Sequence, residues 1–68
     1  MKIKSLLKCV EDFVVITICY ATNGHRLFRG TKNEGIPEWL LEYYITLLIP
    51  GNDKLYIEAH ENSHFMDE

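Results

Sequence analysis

The run Phe13-Val-Val-Ile-Thr-Ile-Cys-Tyr20 leaves little conformational choice to the chain around it. All but Cys19 are β-branched or aromatic, side chains that lose rotamer freedom in a helix and pack well on a pleated surface. As a strand it places Val14, Ile16 and Ile18 on one face and Phe13, Val15, Thr17 and Cys19 on the other. Ala21-Thr-Asn-Gly24 follows, and Asn-Gly is a strong hairpin signal because both residues tolerate positive φ. His25-Arg-Leu-Phe-Arg29 then returns as a second strand. Lys54-Leu-Tyr-Ile-Glu-Ala-His60 alternates Leu55, Ile57 and Ala59 with Tyr56, Glu58 and His60, the period of a half-buried strand. Ile45-Thr-Leu-Leu-Ile49 reads as a third strand, joined to this last one through a turn at Pro50-Gly-Asn-Asp53.

Two short helices complete the pattern. Ile3, Leu6, Leu7 and Val10 recur at i, i+3, i+4 and i+7, which predicts a helix over Ile3–Val10. Such a helix is too short to stand alone and must pack on the sheet. Gly30–Gly35 is a loop by composition. Ile36-Pro37 opens the second helix, expected over Pro37–Tyr44, with proline at its first position and Glu38 where the dipole favours an anion. Trp39, Leu40 and Tyr43 form its apolar side. The order α-β-β-α-β-β predicts an α+β domain: one four-stranded sheet with two short helices on one face. The 68 residues make one domain, residues 1–68, ending in an acidic tail over 62–68 that a metal would order.

Length limits what this fold can do. A chain of 68 residues, 47% hydrophobic, is globular but has a marginal core, and domains of this size often need a disulfide, a metal or a partner subunit. No apolar run approaches the roughly 18 residues of a membrane span. The basic start, Met1-Lys-Ile-Lys-Ser-Leu-Leu-Lys-Cys9, lacks the apolar stretch of a signal peptide. The expected location is therefore the cytoplasm, where Cys9 and Cys19 are free thiols rather than a bridge. Each is expected foremost to act as a small buried hydrophobe.

Two sets of residues invite a functional reading. His60-Glu61-Asn62-Ser63-His64 spells H-E-x-x-H, but that motif grips zinc only on a helix. Here the first histidine ends a strand, and an extended chain sets the two imidazoles about 13 Å apart at roughly 3.3 Å per residue. The peptidase reading is therefore kept only as a minor option. A structural zinc site is the better expectation, with His60, His64, His25 and Cys19 as ligands. Strand order decides it. If strands one and four are parallel neighbours, in order 2-1-4-3, their ends coincide and these four residues converge. If they are antiparallel, the end of strand four meets Cys9 instead and His25 stands alone. The parallel arrangement is preferred because it gathers more candidates.

The second set is a contact surface. Residues 1–33 hold six Lys/Arg and two acids, whereas residues 34–68 hold one Lys and eight acids, for a net charge of −3. An acidic half repels phosphates and suits a basic protein surface. Glu38 and Glu42 share a helix face beside Trp39 and Tyr43, and Glu58 adds to the acidic surface of that half. The competing readings are a solvated acidic face and a Trp39 buried in the core.

From Met1-Lys-Ile-Lys-Ser-Leu-Leu-Lys8 through Phe13–Ile18, Gly30, Ile36-Pro37-Glu38 and Leu40-Leu41 to Ile49-Pro-Gly-Asn-Asp-Lys-Leu-Tyr-Ile-Glu58, the chain resembles a family of very short proteins. These are carried by phages and mobile elements of Firmicutes-type bacteria. Some small phage proteins of this kind are anti-CRISPRs of type II systems that bind and inhibit Cas9. The resemblance implies a non-enzymatic inhibitor in the bacterial host cytoplasm. Its partner would be Cas9 or the Cas9–guide RNA complex, with no direct contact to nucleic acid or membrane. The alternative is a small metal-stapled binding module or another host-takeover adaptor. Residues 59–68, with two of the histidines, depart from the family pattern, so the zinc site rests on the residues alone.

Overall fold

The computed structural model describes residues 1–61 of the chain. His64 and the rest of the acidic tail lie outside the described residues. The elements are α1 (Ile3–Leu7), β1 (Val15–Tyr20), β2 (Arg26–Gly30), a 3-10 turn (Lys32–Glu34), α2 (Glu38–Leu41), β3 (Tyr44–Gly51) and β4 (Lys54–His60). They form an α+β domain whose four strands run in the order β2-β1-β4-β3. The central pair, β1 and β4, is parallel, and both outer pairs are antiparallel.

The parallel register sets Ile16 beside Leu55, Ile18 beside Ile57 and Tyr20 beside Ala59. These residues share one face, and both helices cover it. Ile3 of α1 and Leu40 of α2 complete a core with Ile16, Ile18, Ile57 and Ala59, all fully buried. On the other face two cross-strand rows run through the register, Arg29–Thr17–Tyr56–Ile49 and Arg26–Cys19–Glu58–Leu47. Neither helix packs on that side.

Local chemistry explains where element ends depart from the sequence pattern. α1 stops at Leu7, three residues before the periodicity does. The chain continues with i→i+3 bonds from the Cys9 and Val10 N–H groups to the Leu6 and Leu7 carbonyls, the tighter geometry that often closes a helix. α2 is a single turn with Pro37 as its N-cap, at φ −56° and ψ 142°. It yields Tyr44 to β3 because that residue pairs on both sides, with His60 of β4 and with Lys2. The Asn-Gly hairpin is not a two-residue turn. Tyr20 and His25 close a longer loop, the Gly24 N–H donates to the Tyr20 carbonyl (2.8 Å), and only Gly24 takes positive φ, 74°. Asn23 instead accepts the His25 N–H on its side-chain oxygen (2.9 Å).

The edge of β3 is closed in a specific way. The Val15 N–H donates to the Asp53 carbonyl and the Ala21 N–H to the Ala59 carbonyl, so odd-numbered residues of β4 face β1 and even-numbered ones face β3. In antiparallel pairing that turns the backbone groups of Leu48 and Pro50 outward. Proline has no N–H to offer there, a common device on edge strands. At the other end of β3, Met1 and Ile3 occupy the edge: the Ile45 N–H donates to the Met1 carbonyl (2.9 Å) and the Ile3 N–H to the Tyr43 carbonyl (3.0 Å). Lys2 and Lys4 then hold the Glu42 carboxylate, each at 2.9 Å.

The core is small enough for one residue to decide folding. Ile57 is fully buried at the centre of the sheet. Ile57→Ala is expected to cost about 2–5 kcal/mol, against a total of roughly 3–10 kcal/mol for a domain of this length. Urea unfolding followed by circular dichroism should show the midpoint fall sharply or the native baseline disappear.

Candidate functional site

Parallel pairing of β1 and β4 places their C-terminal ends side by side, and α2 ends above them. Four rings meet in succession there. Trp39 sits edge-on to Tyr43 with centroids 5.5 Å apart. Tyr43 is tilted against Tyr20 at 6.4 Å. Tyr20 stacks on the His60 imidazole at 5.0 Å and 24°. The far ring of this run is buried and the near one is open: His60 is 8% exposed and Trp39 is 54% exposed.

Hydrogen bonds fix the buried end. The Tyr20 hydroxyl donates to Glu61 Oε1 at 2.7 Å and lies 3.1 Å from His60 Nε2. A phenol has one proton to give. With that proton on Glu61, His60 Nε2 is the donor in the second bond. Glu61 Oε1 also lies 3.6 Å from His60 Nδ1. The Glu61 carboxylate pushes the Tyr20 phenol up from the ordinary 10.0 to about 12, first by accepting its proton, with desolvation next. The same bond holds Glu61 below the usual carboxylate range. Desolvation raises Tyr43 as well.

The residues expected to act together fall in different places. Tyr43 is half-buried against the core, and Trp39 stands out from α2 rather than entering the core. A one-turn helix has room for one fully inward residue, and Leu40 takes that position. Glu38 is exposed beside Trp39. Glu42 is engaged by Lys2 and Lys4, so its charge is largely neutralised. Glu58 belongs to the uncovered sheet face, away from α2, and its Oε2 accepts the Tyr56 hydroxyl at 2.8 Å.

Among the expected zinc ligands, the preferred strand order is the one present, yet the side chains have different surroundings. Cys19 is buried on the uncovered face, next to Glu58 in register. His25 is exposed in the β1–β2 loop. His60 is stacked on Tyr20. His64 lies outside the described residues. No group of three or more His, Cys, Asp or Glu is placed to hold a metal among the described residues. Cys9 is exposed, so it does not serve as a buried hydrophobe.

Tyr20 is the site residue that sequence reasoning does not single out, and Glu61 enters there only as the glutamate of H-E-x-x-H, not as the partner of Tyr20. The available signal was positional: parallel strands of matched length bring the last residue of β1 to the end of β4. Compared with protein-family models, curated proteins and solved structures, the chain matches none significantly. No helix among the described residues is long and apolar enough to cross a membrane.

Ionisation reports on this site directly. Tyr20 and Tyr56 are both pushed up to about 12, Tyr56 chiefly by its bond to Glu58. A folded-state value above the unfolded 10.0 means the stabilisation is complete below pH 10 and is lost as pH rises towards 12. Absorbance titration of tyrosinate should show two phenols ionising near pH 12. In Glu61→Gln one of them should return towards its ordinary range, with Tyr56 unmoved.

Proposed function

We propose that this chain is a protein-binding module that engages a basic partner surface through the aromatic run, with Trp39 as its anchor. The carrying observation is that Trp39 is more than half exposed yet held edge-on by Tyr43. A large apolar ring fixed in an outward position loses little conformational entropy on docking, and tryptophan is the side chain most enriched at binding hot spots. Exposed Glu38 beside it and Glu61 at the far end give the run an acidic border. That border suits a cationic partner through steering and register more than through affinity.

The family resemblance of the sequence names the partner to try first. A type II anti-CRISPR acts on Cas9, a basic nucleic-acid machine, and an acidic aromatic knob would compete for a basic channel or hold a domain in place. In a cleavage reaction with Cas9, guide RNA and target DNA, the protein is expected to inhibit at near-stoichiometric amounts. Full cleavage at large excess would remove that Cas9 as the partner. Trp39→Ala is expected to weaken binding by about 30-fold or more, the loss of roughly 2 kcal/mol typical of an anchor. Its circular dichroism should be unchanged, because the ring lies outside the core. Equal binding by wild type and Trp39→Ala would refute the aromatic run as the contact surface, whatever the partner.

A further inference from the structure

We infer that the uncovered sheet face is the contact surface for a second copy of this chain, forming a face-to-face dimer. Both helices lie on the opposite side, so Leu47 and Ile49 stand 40% and 50% exposed on a face that no element among the described residues covers. The distribution of charge on this face selects the occupant. Arg26 and Arg29 lie on the β2 flank, Leu47 and Ile49 on the β3 flank, and Glu58 between them on β4.

A two-fold axis parallel to the strands lays the β2 flank of each copy over the β3 flank of the other. The arginine stems then cover Leu47 and Ile49, as long cationic side chains cover apolar surface elsewhere. The Arg26 guanidinium, over Leu47 of the second copy, comes within one strand spacing, about 4.8 Å sideways, of Glu58 of that copy. Glu58 already accepts Tyr56 on one oxygen and has its other oxygen for the arginine. Lys54, at the rim of the face, meets Val15 of the second copy rather than another cation. A two-fold axis across the strands would instead set arginine over arginine. Of these two axes, only the one along the strands makes the face self-complementary.

Edge pairing through β3 is not an equivalent route to a dimer. Pro50 has no N–H to offer on the outer edge of β3, and Met1–Ile3 already occupies its first part. The size of the face is also informative. Four strands about 4.8 Å apart and about 20 Å long bury on the order of 1,000 Å² in total when two such faces meet. That is near the lower limit for a specific interface, so the dimer has to be sought over a wide range of concentration.

Sedimentation equilibrium across nanomolar to near-millimolar concentration tests this. The apparent mass should rise from 8.0 kDa towards twice that value. Ile49→Lys, which sets a cation beneath the arginines of the second copy, should hold the chain monomeric with unchanged circular dichroism. Arg26→Glu should weaken the dimer at least tenfold, and adding Glu58→Arg should restore it. Trp39→Ala should leave it unaffected, since α2 lies on the other side. A monomer at every concentration overturns the inference. So does a dimer indifferent to Ile49→Lys, or one abolished by Trp39→Ala.

Discussion

The parallel pairing of β1 with β4 is the contact on which the rest of this molecule depends. It joins segments from opposite ends of the chain, and between them run β2, α2 and β3. Parallel neighbours cannot be joined by a tight turn, so the intervening chain has to cross the sheet. Here it passes over one face and deposits α2 there, beside α1, which precedes β1. The core, the bare second face and the meeting of Tyr20 with His60 are all consequences of that one pairing. Ile18 and Ile57, side by side at its centre and fully buried, are its apolar expression.

Much of this was legible in the residues, for physical reasons that can be named. Period-2 alternation located β4 from Lys54 to His60 without error, because one face of that strand is buried along its length. The faces of β1 were equally plain. Helix ends were not, since neither α1 nor α2 has a side-chain cap to mark where it stops. Tyr44 was read as helical because local spacing carries no record of Lys2 and His60, the two residues that pair with it. The size of Trp39 argues for the core. What placed it outside was the shortness of α2, a tertiary outcome in which Leu40 took the inward position.

The candidate site shows the same division. Both strand orders were open from the sequence, and the one that converges the strand ends is the one present. Convergence of backbone, however, is not convergence of side chains. Cys19 follows the strand alternation onto the far face, and His60 is held on Tyr20. What gathers at the shared end is a run of rings closed by a tyrosine–carboxylate bond. The acidic half of the sequence is likewise divided by the fold. Glu42 answers the lysines of α1, Glu58 belongs to the bare face, and Glu38 and Glu61 remain at the aromatic run. A charge count by sequence half therefore overstates how acidic any one surface is.

The position of β4 has a consequence for how the chain is made. The strand that fills the middle of the sheet is the last of the four to be synthesised. Until Lys54–His60 has left the ribosome, β1 has β2 on one side and an open edge on the other. Ile3 has no finished core to enter, and β3 has no inner neighbour. Met1–Ile3 find their strand partner only once β3 exists, some forty residues later by the Lys2–Tyr44 pairing. Folding by such non-local contacts is slow relative to a helical bundle of the same length. Until β4 is made, the most β-prone segment, Phe13–Tyr20, keeps one unpaired edge, and the arrival of that seven-residue strand closes it.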